Sequence, residues 1–243
     1  LKKGDIVEIN LPDSGGGLPA YSHKVEVVFE DDDIIVVNKP SGLTTHPPQL
    51  NYRETLVNAL LTAGKQLSDI SSLRRGVVHR LDKDTSGVIV LAKNETSHNF
   101  LVKQFKTRKI KKEYRAIVWG CLQQDKLRIS LPIAKDQRNR LKRKVSFLDS
   151  KEAVTDVQRL SAFSDSTYLK INLITGRTHQ IRVHLAFADL PIIGDRKYGK
   201  KDGFEHLFLH SYKLKLTHPR TKKIMALKAS LPGWFTRFIK NRQ

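Results

Sequence analysis

One stretch, GVVHRLDKDTSGVIVLAKN (residues 76–94), constrains the fold more than any other. Val88-Ile89-Val90-Leu91 is an apolar run of strand length, and Val77-Val78 has the same texture. Between the two lies a dense polar insert: His79, Arg80, Asp82, Lys83, Asp84, Thr85 and Ser86. The chain must therefore build a sheet with charged residues gathered at a strand's end. An Asp three residues from a His and two from an Arg, set there, suits the edge of an active site. The plainer reading is an Asp-capped turn carrying a surface arginine.

The rest of the chain supplies strands and helices without regular alternation. VEVVFEDDDIIVVNKPSGL (25–43) gives two short strands around an acidic turn, then a Pro and a Gly of turn type. RETLVNALLTA (53–63) spaces Leu56, Ala59, Leu60 and Ala63 as a helix does. NETSHNFLVKQFKTRKI (94–110) predicts a second helix capped by Asn94, with Phe100, Leu101 and Phe105 inward. KKEYRAIVWG (111–120) and STYLKINLITG (166–176) alternate as strands. THQIRVHLAFA (178–188) reads as a helix starting near Thr178, residues 206–230 as a hairpin around HPRTKK, and a last helix begins near Pro232. This pattern predicts an α+β fold on a mixed, mostly antiparallel sheet. LKKGDIVEINLP (1–12) reads as a lone strand before the glycine-rich DSGGGLPA, and a lone strand does not fold by itself. Residues 1–19 are expected to be the tail of an N-terminal module plus a linker, with the larger domain over 20–243. The chain begins at Leu1, which predicts a trimmed N-terminus.

Charge narrows the partner. Lys and Arg number 44 against 24 Asp and Glu, a formal net charge of +20. Such an excess favours a polyanion, because each phosphate contact releases counterions. Nucleic acid fits best. No Lys-rich amphipathic helix with a large apolar face points to a membrane surface, and no apolar run approaches the length of a membrane span. The single cysteine, Cys121, excludes an internal disulfide and multi-cysteine zinc sites, those of the nucleic-acid deaminases included. A basic, disulfide-free chain suits the cytoplasm.

Several chemistries lack their signatures. There is no Walker-type loop, dinucleotide fingerprint or nucleophile elbow. His179 and His184 stand roughly 140° apart on a helix, so they do not share a face for a metal. One buried and one exposed histidine is the expectation. Two basic runs offer phosphate contacts: Lys103, Lys106, Arg108, Lys109, Lys111 and Lys112, then Lys135, Arg138, Arg140, Lys142, Arg143 and Lys144. Such runs are ordinarily solvated faces. ITGRTHQIRVH (174–184) has the texture of the first insert: a strand, a Gly turn, then Arg177, His179, Gln180 and Arg182 at a helix start, where anions bind. The two segments together would build a site with one essential carboxylate and several cations.

HRLDKDTSG (79–87), KKEYRAIVWG (111–120), TGRTHQIRVH (175–184) and PIIGDRKYG (191–199), with VVNKPSGL (36–43) upstream, resemble the ordered motifs of the RluA-type pseudouridine synthases. The resemblance runs from about residue 25 to 231. It implies the pseudouridine synthase fold over residues 20–243, and that residues 1–19 are a remnant of the small RNA-binding domain that often precedes it. It implies that Asp82 is the catalytic aspartate, Tyr114 the tyrosine against the uracil, and Arg182 the basic partner of Asp82. Arg80 matches the arginine that enters the RNA stack as the target uridine leaves. Arg177, His179, Lys109, Lys112 and Arg140 are expected to contact RNA.

The implied reaction breaks the N1–C1′ bond of a uridine already in RNA and forms a C5–C1′ bond. Mass and redox state are unchanged, so neither cofactor nor metal is expected, and a monomer is expected to suffice. Flipping the base costs a few kcal/mol, offset by pocket contacts and by a side chain filling the gap. A paired arginine would favour the ionised Asp82. Large-subunit ribosomal RNA is the family's commonest substrate, and some relatives modify tRNA. Two other classes compete. A non-catalytic RNA-binding or ribosome-assembly protein would not need Arg80, Asp82, Tyr114 and Arg182 together. A metal-dependent nuclease using Asp82, Asp84 and His179 would cut the strand and be stopped by a chelator.

Overall fold

The computed structural model describes residues 18–49 and 51–242. The strand expected over residues 1–12 lies outside them.

The acidic turn makes the first hairpin. β1 (Glu26–Glu30) and β2 (Ile34–Lys39) pair antiparallel, and Asp31 Oδ1 accepts the N–H groups of Asp33 and Ile34 inside the turn. α1 (Leu56–Thr62) starts on Thr55, whose hydroxyl accepts the N–H of Asn58. The insert then leads into β3 (Ser86–Ala92), buried at every position. The continuous apolar run has a simple cause. Ile89 and Leu91 pack with Leu56 and Leu60 of α1 on one face, while Val88 and Val90 pack with Leu101 on the other.

α2 (Glu95–Lys106) is capped by Asn94, whose side chain accepts the N–H of Ser97 at 2.9 Å. It stops short of the expected Ile110. Arg108 takes a left-handed conformation (φ 58°) and turns the chain into β4 (Lys111–Trp119). Of its three expected core residues Leu101 is fully buried, while Phe100 and Phe105 are only half-buried.

Four strands that the sequence left unassigned follow: β5 (Lys126–Ser130), β6 (Ile133–Lys135), β7 (Arg143–Val145) and β8 (Val154–Ala162). The chain closes with β9 (Ser166–Leu173), α3 (Gln180–Phe187), β10 (Leu209–Thr217), β11 (Ile224–Lys228) and α4 (Gly233–Lys240). The main sheet runs β1-β2-β3-β10-β4-β9-β8-β5, with β11 also on β10, and β6-β7 form a separate hairpin. Among the strands of the described residues only the β3–β10 pairing is parallel; the other strand pairs are antiparallel. The fold is thus α+β on a mixed, mostly antiparallel sheet, as expected. Among the described residues no helix is long and apolar enough to cross a membrane.

That one parallel contact sets the place of the insert. His210 and Ser211 lie opposite Ser86 and Gly87, and a Cβ on Gly87 would come within 2.2 Å of the Ser211 carbonyl. Only glycine, here at φ 115°, lets β10 close against β3 where the insert ends. Val77-Val78, in contrast, is not a strand: Val77 makes one isolated bridge to Leu91. β3 already has β2 on one side, and β10 reaches only its first two residues on the other.

Candidate active site

The insert is not a free loop. It is pinned from behind by Lys39, the last residue of β2, and by the residues that follow it. Lys39 has no solvent exposure, and its Nζ donates to the carbonyls of Pro40 (2.9 Å), Leu43 (2.7 Å) and Lys83 (2.9 Å). Gly42 N–H also donates to the Lys83 carbonyl, the Ser41 hydroxyl to that of Asp84, and the Thr45 hydroxyl to that of Leu81. The backbone on both sides of Asp82 is therefore fixed while its side chain stays 17% exposed. Burial pulls the Lys39 ammonium down to about 7, against the Asp82 and Asp84 carboxylates that favour its charge. Lys39→Met takes a donor from three carbonyls at once. It is expected to cost about 2–4 kcal/mol in urea denaturation and to slow catalysis by loosening the Asp82 turn.

Beyond the insert opens a cleft of about 500 Å³. Its walls carry Arg80, Lys106, Arg108, Lys112, Arg177 and Arg182, with Asp82 the one carboxylate among them. Tyr114, from β4, is 7% exposed and lines the cleft, while Arg80 is exposed at its rim. Burial pushes the Tyr114 phenol well above its ordinary value, against a hydrogen bond with Ser211, so it stays protonated at neutral pH. Burial, with Arg108 and Arg177 nearby, brings the Lys112 ammonium down to about 8, and its Nζ donates to the Thr175 carbonyl. His79 is held neutral by burial, with its ring stacked on Phe105 and its Nε2 accepting the Val90 N–H.

The 174–184 segment forms the opposite wall, but not as the helix start expected at Thr178. α3 begins at Gln180, and His179 before it is left-handed (φ 58°) with no side-chain cap bond. The cause is Gln180. Its Oε1 accepts the Thr175 hydroxyl and the Arg177 N–H, and its Nε2 donates to the Val154 carbonyl and Thr155 Oγ1. This closes a turn that aims His179 and Arg182 at Asp82. The expected division of the histidines into one buried and one exposed is corrected as well. His184 is fully buried between Thr155 and the Leu131 carbonyl, and the His179 side chain is only 12% exposed.

Arg182 Nη1 lies 3.6 Å from Asp82 Oδ2. Its closest partner is one the sequence reading missed. Arg182 Nε and Nη2 hold Asp195 Oδ2 and Oδ1 at 2.8 and 2.7 Å, a two-point ion pair with both side chains buried. Burial pushes the Asp195 carboxyl up, but Arg182 and the N–H groups of Tyr198 and Lys197 outweigh it and hold the carboxyl below its ordinary value. Asp195 is placed by Gly194, where a Cβ would strike the His206 carbonyl at 1.9 Å. The sequence signal was present in PIIGDRKYG, yet only the fold shows that its acid meets Arg182.

Of the expected RNA contacts, Arg80, Arg177, His179 and Lys112 line the cleft. Lys109 and Arg140 are exposed outside it, Arg140 between β6 and β7. A second groove of about 650 Å³ shares Gly176, Arg177 and Thr178 with the cleft and adds Lys135, Arg143, Lys144 and Lys151. The nuclease reading finds no geometry. Among the described residues Asp82, Asp84 and His179 do not converge as ligands. The compact acid–histidine cluster is Asp31, Asp33 and His218, engaged with one another and with Arg220, Asn94 and Ser97.

Comparison with known proteins agrees with this geometry. Residues 33–187 match the family described as RNA pseudouridylate synthase. A Bacillus subtilis protein named as an uncharacterized RNA pseudouridine synthase, YlyB, is 38% identical over 99% of this chain and 80% of its own length. Ribosomal large subunit pseudouridine synthase D of Neisseria meningitidis serogroup A is 41% identical over 86% of this chain, which spans 58% of that relative. Among solved structures, human RNA pseudouridylate synthase domain containing 4 superposes with a TM-score of 0.68 at 27% identity, covering 88% of this chain and 92% of that one. Human RNA pseudouridylate synthase domain containing 1 shares the fold, with a TM-score of 0.74 at 23% identity over 88% and 86% of the two chains. The chain belongs to the RNA pseudouridylate synthase family.

Proposed function

We propose that this chain converts uridine to pseudouridine in ribosomal large-subunit RNA, with Asp82 as the reacting carboxylate. One observation carries the reading: a single carboxylate, backed by a rigid turn, faces a cleft ringed by six cations. Cations suited to phosphates draw the strand in, and the lone carboxylate confines chemistry to one point. The relatives named for the large ribosomal subunit supply the substrate class. Mapping pseudouridine across cellular RNA with and without this protein tests it. Loss of sites in large-subunit RNA is expected; loss confined to tRNA would overturn the assignment.

The side chains divide the work. Arg80, exposed at the rim, stacks its flat cation where the flipped base was and contacts phosphate. Asp82 acts on the ribose, at C1′ as nucleophile or at the 2′ position as base. The freed uracil turns and bonds through C5. It must then lose the C5 proton and gain one on N1, with no net change in charge. The Tyr114 phenol, which burial keeps neutral, suits a role that hands on one proton as it takes another. Tyr114→Phe keeps the ring and removes that hydroxyl. Tritium release from 5-tritiated uridine in RNA is expected to fall about 10²-fold or more with RNA affinity unchanged. A fully active Phe variant would remove the hydroxyl from the mechanism.

A further inference from the structure

A second hydrogen-bonded path reaches Asp82, from the basic hairpin rather than from Asp195. The Arg143 N–H, in β7, donates to Tyr198 Oη at 2.8 Å. The phenol oxygen, accepting there, is placed to give its own proton to His179 Nδ1, 2.7 Å away. With Nδ1 accepting, the neutral imidazole carries its proton on Nε2, 4.0 Å from Asp82 Oδ2. Burial keeps the ring neutral, bringing it down to about 4 even beside Asp82. Arg182 approaches the same Asp82 oxygen, so both donors fall on Oδ2 and Oδ1 is left for chemistry.

Three further observations say the path is built rather than incidental. His179 holds a left-handed conformation that is uncommon for a residue with a Cβ, and it uses its side chain for nothing else in the helix start. Tyr198 is held at three further points: its N–H donates to Asp195, its ring meets the His179 ring edge-on, and the Arg182 guanidinium stands 5.3 Å from its centroid. The hairpin at the other end carries Lys135, Arg143 and Lys144 on the groove that continues the cleft.

We propose that Tyr198 and His179 are positioning residues that tie the β6–β7 hairpin to the catalytic aspartate. When RNA seats on the hairpin, the Arg143 amide, the Tyr198 hydroxyl and the His179 imidazole together hold Asp82 Oδ2, and Oδ1 faces the sugar. The 4.0 Å gap closes to a hydrogen bond in that state, as contacts of resting sites commonly do. The inference rests on the reading of the cleft as a pseudouridine synthase site. It adds a coupling between binding strand and reacting group, so that the aspartate is aligned only under a bound strand.

The test measures two quantities on the full chain with a 5-tritiated large-subunit RNA transcript: the single-turnover rate at saturating protein, and the RNA Kd. Tyr198→Phe keeps the ring packing and removes only the hydroxyl. His179→Gln keeps an N–H near the Nε2 position, and His179→Leu does not. Gln and Leu meet the same left-handed backbone, so their difference reads the donor rather than the strain. Tyr198→Phe and His179→Leu are each expected to slow the single turnover by about 10-fold or more, toward the ~100-fold that a 1 Å misplacement costs. The Kd of Tyr198→Phe should stay within about twofold of the wild type, His179→Gln and His179→Leu should share one Kd, and Tyr198→Phe should add less than about twofold in rate on top of His179→Leu. His179→Gln should recover most of the rate. Effects that multiply, Gln as slow as Leu, or a loss of affinity in place of rate would overturn the relay. A wild-type protein that binds RNA and releases no tritium would overturn the synthase reading itself, and the relay with it.

Discussion

Asp82→Asn is expected to yield a folded protein that binds RNA and no longer isomerises uridine. The change keeps the side chain's shape. The turn that carries it is held by backbone and side-chain groups of residues 39–45, none of which touches the carboxylate. Arg182 keeps its two-point pair with Asp195, and the buried Lys39 keeps its three carbonyls and the nearby Asp84, so no buried charge is orphaned. Stability should change by about 1 kcal/mol or less. RNA affinity should hold, since the six cations of the cleft are intact. The amide is neither a nucleophile toward C1′ nor a base toward the 2′ position. The rate should fall on the order of 10⁴-fold or more, as it does when the reacting group of a catalytic unit is removed. Single-turnover tritium release beside a filter-binding isotherm separates the two effects.

The second large effect comes from Asp195, a buried residue that does not line the cleft. Its pair with Arg182 is buried on both sides, at 4% and 1% exposure. Asp195→Ala leaves the guanidinium without its partner and the Tyr198 and Lys197 N–H groups without their acceptor. The expected cost is about 3–5 kcal/mol, read from denaturant unfolding. Isomerisation should fall as well, since Arg182 is what holds Asp82 Oδ2 from within the fold. The double variant Arg182→Met/Asp195→Leu separates the two losses. Replacing both charges with apolar groups should return much of the stability and none of the rate. The sign of the pH dependence follows from the same pair. The Asp195 carboxyl is held below its ordinary value, so its stabilisation is complete above about pH 4 and is lost as pH falls through the lower folded-state value. Unfolding of the wild type should show that acid loss, and Asp195→Ala should show less of it.

What could be read from the sequence was what lies within one segment. The HRLDKDTSG insert sits at a strand end, as its flanking valines indicate, and Asn94 caps the helix it precedes. Arg182 was legible as the partner of Asp82 through the motif alone. Lys39, Asp195 and Tyr198 were not, because each acts through a contact made by the fold. Lys39 reaches the Lys83 carbonyl 44 residues away, Tyr198 meets His179 across 19 residues, and Asp195 meets Arg182 across 13. The two-residue delay in the start of α3 has a related reason: Gln180 spends its side chain on Val154 and Thr155, in β8. β8 escaped notice because its buried face carries Thr155 as well as Val157, which blurs the alternation. β6 and β7 have three residues each, too few to show a period.

The most direct test of Asp82-dependent uridine isomerisation follows one transcript through one reaction. Large-subunit RNA carrying 5-tritiated uridine is incubated with the wild-type chain, with a chelator present, and tritium release is counted while strand length and mass are checked. Release of tritium from intact RNA whose mass changes only by the exchanged label, abolished in Asp82→Asn, is the expected result. Strand cleavage, a requirement for metal, or release that survives in Asp82→Asn would contradict it.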